Sequence, residues 1–302
     1  MQTPWGEFAV ADAHVHFFSR RFFAALGSQC GKSAAQVAET VGWVLPPEDP
    51  SELAHQWIAE LNRQGVARAA LIASMPGDEA GVETAVGAFP DRFFGYFMVN
   101  PLEEGAIDRA QIALSCGLHA VCLFPAMHRY SIQDPKLETL IKTISEFPGR
   151  AVFVHCGILT VGIRKKLGLP SPFDMRFSNP IDLHAVAQRY PGVKFIVPHF
   201  GAGYLREALM LADLCPNVLL DTSSSNSWMR YEGLELKTVF RRALDIVGAH
   251  RLLFGTDSSF FPRAWNYDVY EAQQRALLDL GLSGSDVRAI LEENLVRVFS
   301  GG

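Results

Sequence analysis

The chain predicts an α/β protein whose eight strand–helix units close into a (β/α)8 TIM barrel. Three observations predict it. Short apolar runs rich in Val, Ile, Leu and Phe recur along the whole sequence. Stretches with helical spacing fill the gaps between them. Several apolar runs end in a histidine or an aspartate, where a barrel enzyme would build its site.

Strands are expected at 8–11, 67–73, 93–99, 119–124, 151–154, 194–197, 218–220 and 251–254. Each is short, apolar and followed by a polar, Gly or Pro break, as a strand buried on both faces should be. Helices are expected at 51–62, 79–88, 104–114, 136–146, 181–189, 204–212, 236–247 and 267–280, with 286–299 closing the chain. Eight alternations favour a closed barrel over an open sheet. No G-x-G-x-x-G follows the first strand, which weakens a dinucleotide-binding alternative. Two connections are longer than a normal βα loop, 17–50 after the first strand and 157–179 after the fifth. With no linker, repeat or low-complexity tract, the expectation is a single barrel domain over 1–302 carrying those two insertions.

Composition narrows the function. Half of the residues are apolar (49%), enough for a large core, and the net charge is −5. A weakly acidic chain without a basic block has no electrostatic reason to hold nucleic acid or an anionic membrane. The cysteines are five and include no C-x-x-C pair, which fits a reduced cytoplasmic protein. No signal peptide or bilayer-length apolar run is visible. The expected partner is a small-molecule substrate, and apolar residues on the outer helices would permit a homodimer.

The chemistry-bearing residues lie at strand ends. His14 and His16, in Asp12-Ala13-His14-Val15-His16, are two apart and share a face of the first strand. The same parity brings Val10 and Asp12 to that face. The fifth run ends in His155, the sixth in His199 and the eighth in Asp257. A right-handed βα barrel brings these ends to one rim. Imidazoles and a carboxylate suit Zn2+ and leave a position for water; Mn2+ and Fe2+ are the other options. Singly, each histidine has a plain reading as a core or surface residue, and Asp257 as a helix cap. Their common placement carries the inference. Residue types alone leave His199 either a ligand or a catalytic group.

The pieces Asp12-Ala-His-Val-His16, Val154-His155-Cys-Gly157, Pro198-His199-Phe-Gly-Ala-Gly203, Leu220-Asp-Thr-Ser-Ser224, Phe254-Gly-Thr-Asp257-Ser and Glu293-Asn-Leu-Val-Arg-Val-Phe299 resemble the amidohydrolase superfamily. The resemblance is to the amidohydrolase-related branch that includes aminocarboxymuconate-semialdehyde decarboxylase, and it spans nearly the whole chain in order. It implies a deformed barrel of the metal-dependent hydrolase type. It makes His14, His16 and His155 metal ligands, with Asp257 the fourth ligand or close to it, and His199 the catalytic histidine. Binuclear members carry a Lys or Glu at the end of strand four. Here that strand reads Val121-Cys122-Leu123-Phe124-Pro125, so one divalent ion is expected.

Two chemistries then compete. Metal-activated water would hydrolyse a small amide, ester or lactone, with Asp257 taking the proton and His199 serving the oxyanion or shuttling a proton. Alternatively the same residues would decarboxylate a small carboxylic acid, aromatic acids included, with His199 as the base. A reading of another class is a non-catalytic or metal-free ligand-binding barrel. Arg263 can hold a substrate carboxylate in a fork; Arg164 and Arg230 are further options, and a solvated surface role competes for all three. Phe17, Phe18, Trp228, Phe260 and Trp265 can wall an aromatic pocket or simply pack. Asp221, ending strand seven, can orient a ligand histidine, touch substrate or cap a helix.

Overall fold

A computed structural model of the chain describes residues 1–224 and 226–300. Eight parallel strands follow one another in sequence order around the sheet: β1 Ala11–His16, β2 Arg68–Ala73, β3 Phe93–Met98, β4 Ala120–Leu123, β5 Ala151–Val154, β6 Lys194–Val197, β7 Val218–Asp221 and β8 Leu252–Leu253. The first and last strands meet. Ala13 N–H donates to the Phe254 carbonyl at 2.7 Å, His16 N–H to that of Ser258 at 2.7 Å, and Val15 bridges Ser258 in parallel fashion. The sheet is thereby a closed barrel, as eight strand–helix units require.

Two sets of buried side chains follow the strand alternation. Val121, Leu123, Val152, Val154, Phe195 and Val197 pack with helix residues such as Leu137, Leu140 and Ile141. Ile72, Tyr96, Cys122, Phe153, Ile196 and Leu219 fill the barrel interior. Leu295, Val298 and Phe299 of the last helix join the interior set. Phe299 packs on Phe94 and His119 near the starts of β3 and β4, so this helix plugs the end from which the strands rise.

The first strand departs from expectation in two ways. It begins at Ala11, where the apolar pattern would have ended it, and contains the whole Asp-x-His-x-His run. It also carries an extra residue: Asp12 pairs with Ala69 and Val15 with Leu71, so three steps on β1 face two on β2. This bulge breaks the alternation. Ala11 and Ala13 belong to the interior set and Val10 to the outer one, so Val10 does not share the face of His14.

Both insertions contain helices. Residues 17–50 hold the helices Arg20–Cys30 and Ala34–Val41, and 157–179 hold the short helix Gly162–Lys166. Ser33 and Gln36 form a capping box on the second helix, and Gly31 and Gly42 end the first two in the left-handed conformation. Phe22, Phe23, Leu26, Val37, Ala38 and Val41 pack with Ile163 as a separate small core. The insertions thus form one cap on the face where the strands end. Among the described residues, no helix is long and apolar enough to cross a membrane.

Asp12 fastens the seam between β1 and β8. Its Oδ1 accepts from His14 N at 2.9 Å and Thr256 N at 3.1 Å; its Oδ2 accepts from Thr256 Oγ1 at 2.5 Å and Trp265 Nε1 at 2.7 Å. Full burial pushes this carboxyl up to about 6, against the pull of those donors. Asp12→Ala orphans three buried N–H groups, each costing about 1–3 kcal/mol and not strictly additive. Urea unfolding should show a loss of at least about 3 kcal/mol; a loss below about 1 kcal/mol would contradict the clasp.

Candidate metal centre

Strand β1 brings His14 and His16 to the top of the barrel with each imidazole fixed by its Nδ1. His14 Nδ1 lies 2.7 Å from Asp221 Oδ2, and His16 Nδ1 lies 2.7 Å from Ser74 Oγ. With both Nδ1 atoms engaged, both Nε2 atoms turn to the same point: His14 Nε2 is 3.6 Å and His16 Nε2 3.2 Å from Asp257 Oδ1. The potential ligand atoms of His14, His16 and Asp257 all lie within 4.8 Å of one another. Outer partners holding ligand imidazoles in one orientation are the usual supports of a metal site.

The electrostatics fit a cation. Burial pushes the Asp257 carboxyl up, but the bond from His16 and the imidazoles of His14, His16 and His199 outweigh it and hold the group below the usual carboxylate range. Burial lowers His16 and His199 and, aided by neighbouring imidazoles, sets His155 well below its ordinary value. Burial also acts to lower His14, yet the Asp221, Asp257 and Asp12 carboxylates win and raise it. A carboxyl held below its usual range beside imidazoles disfavoured as cations by burial, with a field that favours positive charge at His14, suits a divalent ion.

His155 and His199 face the same cavity outside this compact trio. The His155 ring lies on Phe124 (5.3 Å, 22°) and 5.3 Å from that of His199, and its buried Nδ1 has no partner. His199 is buried, 4.9 Å from the ring of His14. Both His199 (φ 56°) and Asp257 (φ 57°) adopt the left-handed backbone that non-glycine residues avoid. Such outliers, costing roughly 1–3 kcal/mol each, concentrate at functional sites. On β4, Cys122 packs inside the barrel with its thiol pushed well up by burial.

A cavity of about 810 Å³ opens above the trio, between barrel and cap. Arg164, Lys166, Arg230 and Arg263 line it, with Asp257 as the acidic residue among them. One wall is a run of parallel rings: Phe18 on His16 (5.3 Å), Trp43 beyond Phe18 (5.9 Å) and Phe260 on Trp43 (3.9 Å). The Arg263 guanidinium lies over Phe260 at 4.6 Å. Trp228 lines another wall with its indole N–H unpartnered.

Three sequence expectations need correction. Phe17 is 1% exposed and belongs to the outer core, because the residue after His16 points to the other side of the strand. Trp265 is equally buried, its indole bound to Asp12. Asp221 is fully buried, its carboxylate 2.7 Å from His14 Nδ1, so it supports that ring and does not line the cavity. Sequence reasoning also missed Ser74, Ser223 and the clasp by Asp12. Ser74 directly follows β2, the same kind of position that singled out His155.

Gly255 shows how tightly this support is packed. A Cβ there would meet Asp221 Oδ1 at 2.8 Å, Ser223 Cβ at 2.9 Å and His14 Cβ at 3.0 Å. Gly255→Ala should therefore weaken divalent-metal binding without touching the cavity. Asp221→Asn, which weakens the hold on His14, should lower metal affinity roughly 10–100-fold. Zinc titration calorimetry checks both, and wild-type affinity in both variants would refute the role given to this layer.

The Amidohydrolase family model matches residues 11–300. Among curated proteins, 110 residues, 35% of this chain, are 34% identical to Protein fluG of Emericella nidulans, and the match spans 12% of that protein. Among solved structures, an uncharacterized TIM-barrel protein, Bb4693 of Bordetella bronchiseptica, shares 19% identity over 97% of this chain and 98% of its own (TM-score 0.67). A probable 2-pyrone-4,6-dicarboxylic acid hydrolase of Acinetobacter baumannii with citric acid bound shares 15% over 97% and 99% (TM-score 0.61). A 5-carboxyvanillate decarboxylase of Novosphingobium aromaticivorans with bound manganese shares 14% over 97% and 97% (TM-score 0.62). These structures have the same fold. With the family model covering nearly all of it, this chain belongs to the amidohydrolase family of enzymes.

Proposed function

We propose that the protein hydrolyses a small, planar, carboxylate-bearing ester or lactone at one divalent metal ion, zinc first among the candidates. His14, His16 and Asp257 would hold the ion, with His155 completing the set from β5. Such a donor set suits zinc, and a bound ion would supply a Lewis acid that polarises a carbonyl and acidifies water. The observation that carries this reading is Asp257. It is held ionised, its side chain is 37% exposed, and it is the one acidic side chain among the described residues lining the cavity.

The residues divide the work by position. Asp257 can take the proton of an attacking water and return it to the leaving oxygen. His199 faces the site from β6 and serves the substrate oxygen on which charge develops. Arg263 donates through one nitrogen to the Asp257 carbonyl (3.1 Å) and Ser259 Oγ (2.9 Å), which steadies the guanidinium while leaving other N–H groups for a carboxylate. Phe18, Trp43 and Phe260 offer flat apolar faces to a ring. The manganese-bearing decarboxylase relative favours a second reading, loss of CO2 from a similar acid.

Turnover of carboxylated lactones and aromatic acids in oxygen-18 water separates the two. Hydrolysis places the label in a new product carboxylate; CO2 release with no label in the product would overturn it. At saturating metal, Asp257→Asn should lose about 10²–10⁴-fold in kcat/KM. Arg263→Ala should mainly raise KM, by roughly 10–100-fold for a lost charge-assisted contact of about 1.5–3 kcal/mol. An unchanged KM for Arg263→Ala would remove that residue from substrate binding.

A further inference from the structure

We propose that Ser223 holds the proton of His199 on Nε2, so that His199 presents an N–H donor to the cavity and not a base. The inference rests on the reading above that His14 is a metal ligand through Nε2.

Ser223 is fully buried, and its backbone N–H is tied to Asp221 Oδ1 at 2.7 Å. Its Oγ lies 2.9 Å from His14 Nδ1 and 2.9 Å from His199 Nδ1. One hydroxyl therefore stands between two imidazoles with a single hydrogen to give. A His14 that offers its Nε2 lone pair to a metal carries its own proton on Nδ1. That proton belongs to Asp221 Oδ2, the acidic partner at 2.7 Å. A protonated Nδ1 has no lone pair left, so it cannot accept from Ser223. The hydroxyl hydrogen is left with His199 Nδ1 as its acceptor. A neutral imidazole that accepts at Nδ1 bears its proton on Nε2.

One group opposes this. The Ser223 carbonyl is 3.2 Å from His199 Nδ1 and would accept a proton placed there. It is the farther partner, and choosing it would strand the hydroxyl hydrogen between two protonated nitrogens. An under-satisfied carbonyl is tolerated in protein interiors more readily than an orphaned donor. Gly255 keeps the arrangement close, since a side chain there would collide with Ser223 and His14 together. Ser223 is thus a positioning residue: it converts the ligand state of His14 into the hydrogen-bonding character of His199. An Nε2–H suits stabilisation of an oxyanion, and it leaves Asp257 as the proton acceptor.

The test is long-range proton–nitrogen correlation NMR on the zinc-loaded, 15N-histidine-labelled full chain, with His199 assigned through His199→Gln. The expected spectrum shows His199 unprotonated at Nδ1 and protonated at Nε2. In Ser223→Ala the proton should move to Nδ1, toward the carbonyl, while one zinc per chain stays bound. Nδ1 protonation of His199 in the wild type beside a zinc-shifted His14 would overturn the proposal alone. An unchanged tautomer in Ser223→Ala would do the same. No zinc-induced change at His14 would overturn the ligand reading and the proposal with it. If Ser223→Ala does not fold, the wild-type spectrum still decides.

Discussion

Closure of the barrel between β1 and β8 is the constraint on which the site depends. His14 and His16 stand on one side of that seam and Asp257 on the other. The three can meet only if the first and last strands are held in one register. Backbone bonds from Ala13 and His16 set the register, and the Asp12 carboxylate fastens it through four donors drawn from both sides. Closing the barrel therefore also brings together the three side chains of the candidate metal site. A buried carboxylate is costly unless its hydrogen bonds are complete, and here each oxygen accepts two.

Function costs stability in the same region. Asp257 and His199 sit in left-handed backbone that glycine would occupy more cheaply. The bulge at Ala13–His14 gives up regular pairing with β2 and turns both Ala13 and His14 inward. Asp221, Ser223 and Ser74 are spent on fixing imidazoles and add little to apolar packing. The rest of the barrel compensates with ordinary core: the fully buried Phe93, Phe97, Phe153, Phe195 and Phe240 each contribute on the order of 1.5–3 kcal/mol.

Much of this was legible in the sequence, for a definite reason. Strands covered on both faces read as short apolar runs, and the fifth and sixth, Ala151–Val154 and Lys194–Val197, have the bounds the pattern predicts. Polar residues after such runs marked His155, His199 and Asp257. The first strand escaped because its polar residues are paired across the seam, which no local pattern reveals. Its bulge likewise has no signal in residue order, so simple alternation puts Val10 on the wrong face. Phe17 fell into the core because alternation resumes after His14 and places it opposite His16. Serine after a strand is common, so Ser74 and Ser223 carry no signal in the sequence, and only the contacts to His16, His14 and His199 distinguish these two. The insertion helices lie in stretches that the sequence marks only as long connections, although Ser33 and Gln36 carry a capping signature.

The cavity adds the chemical setting. Among the described residues, four cationic side chains and a wall of parallel rings line the cavity with one carboxylate, the setting on which the proposed planar anionic substrate rests. The most direct measurement is a zinc-edge anomalous difference map from crystals of the zinc-loaded protein. One peak about 2.0–2.2 Å from His14 Nε2, His16 Nε2 and an Asp257 oxygen is the predicted result. A map with no peak at that point, or with its only peak elsewhere in the barrel, would contradict a metal centre assembled across the seam.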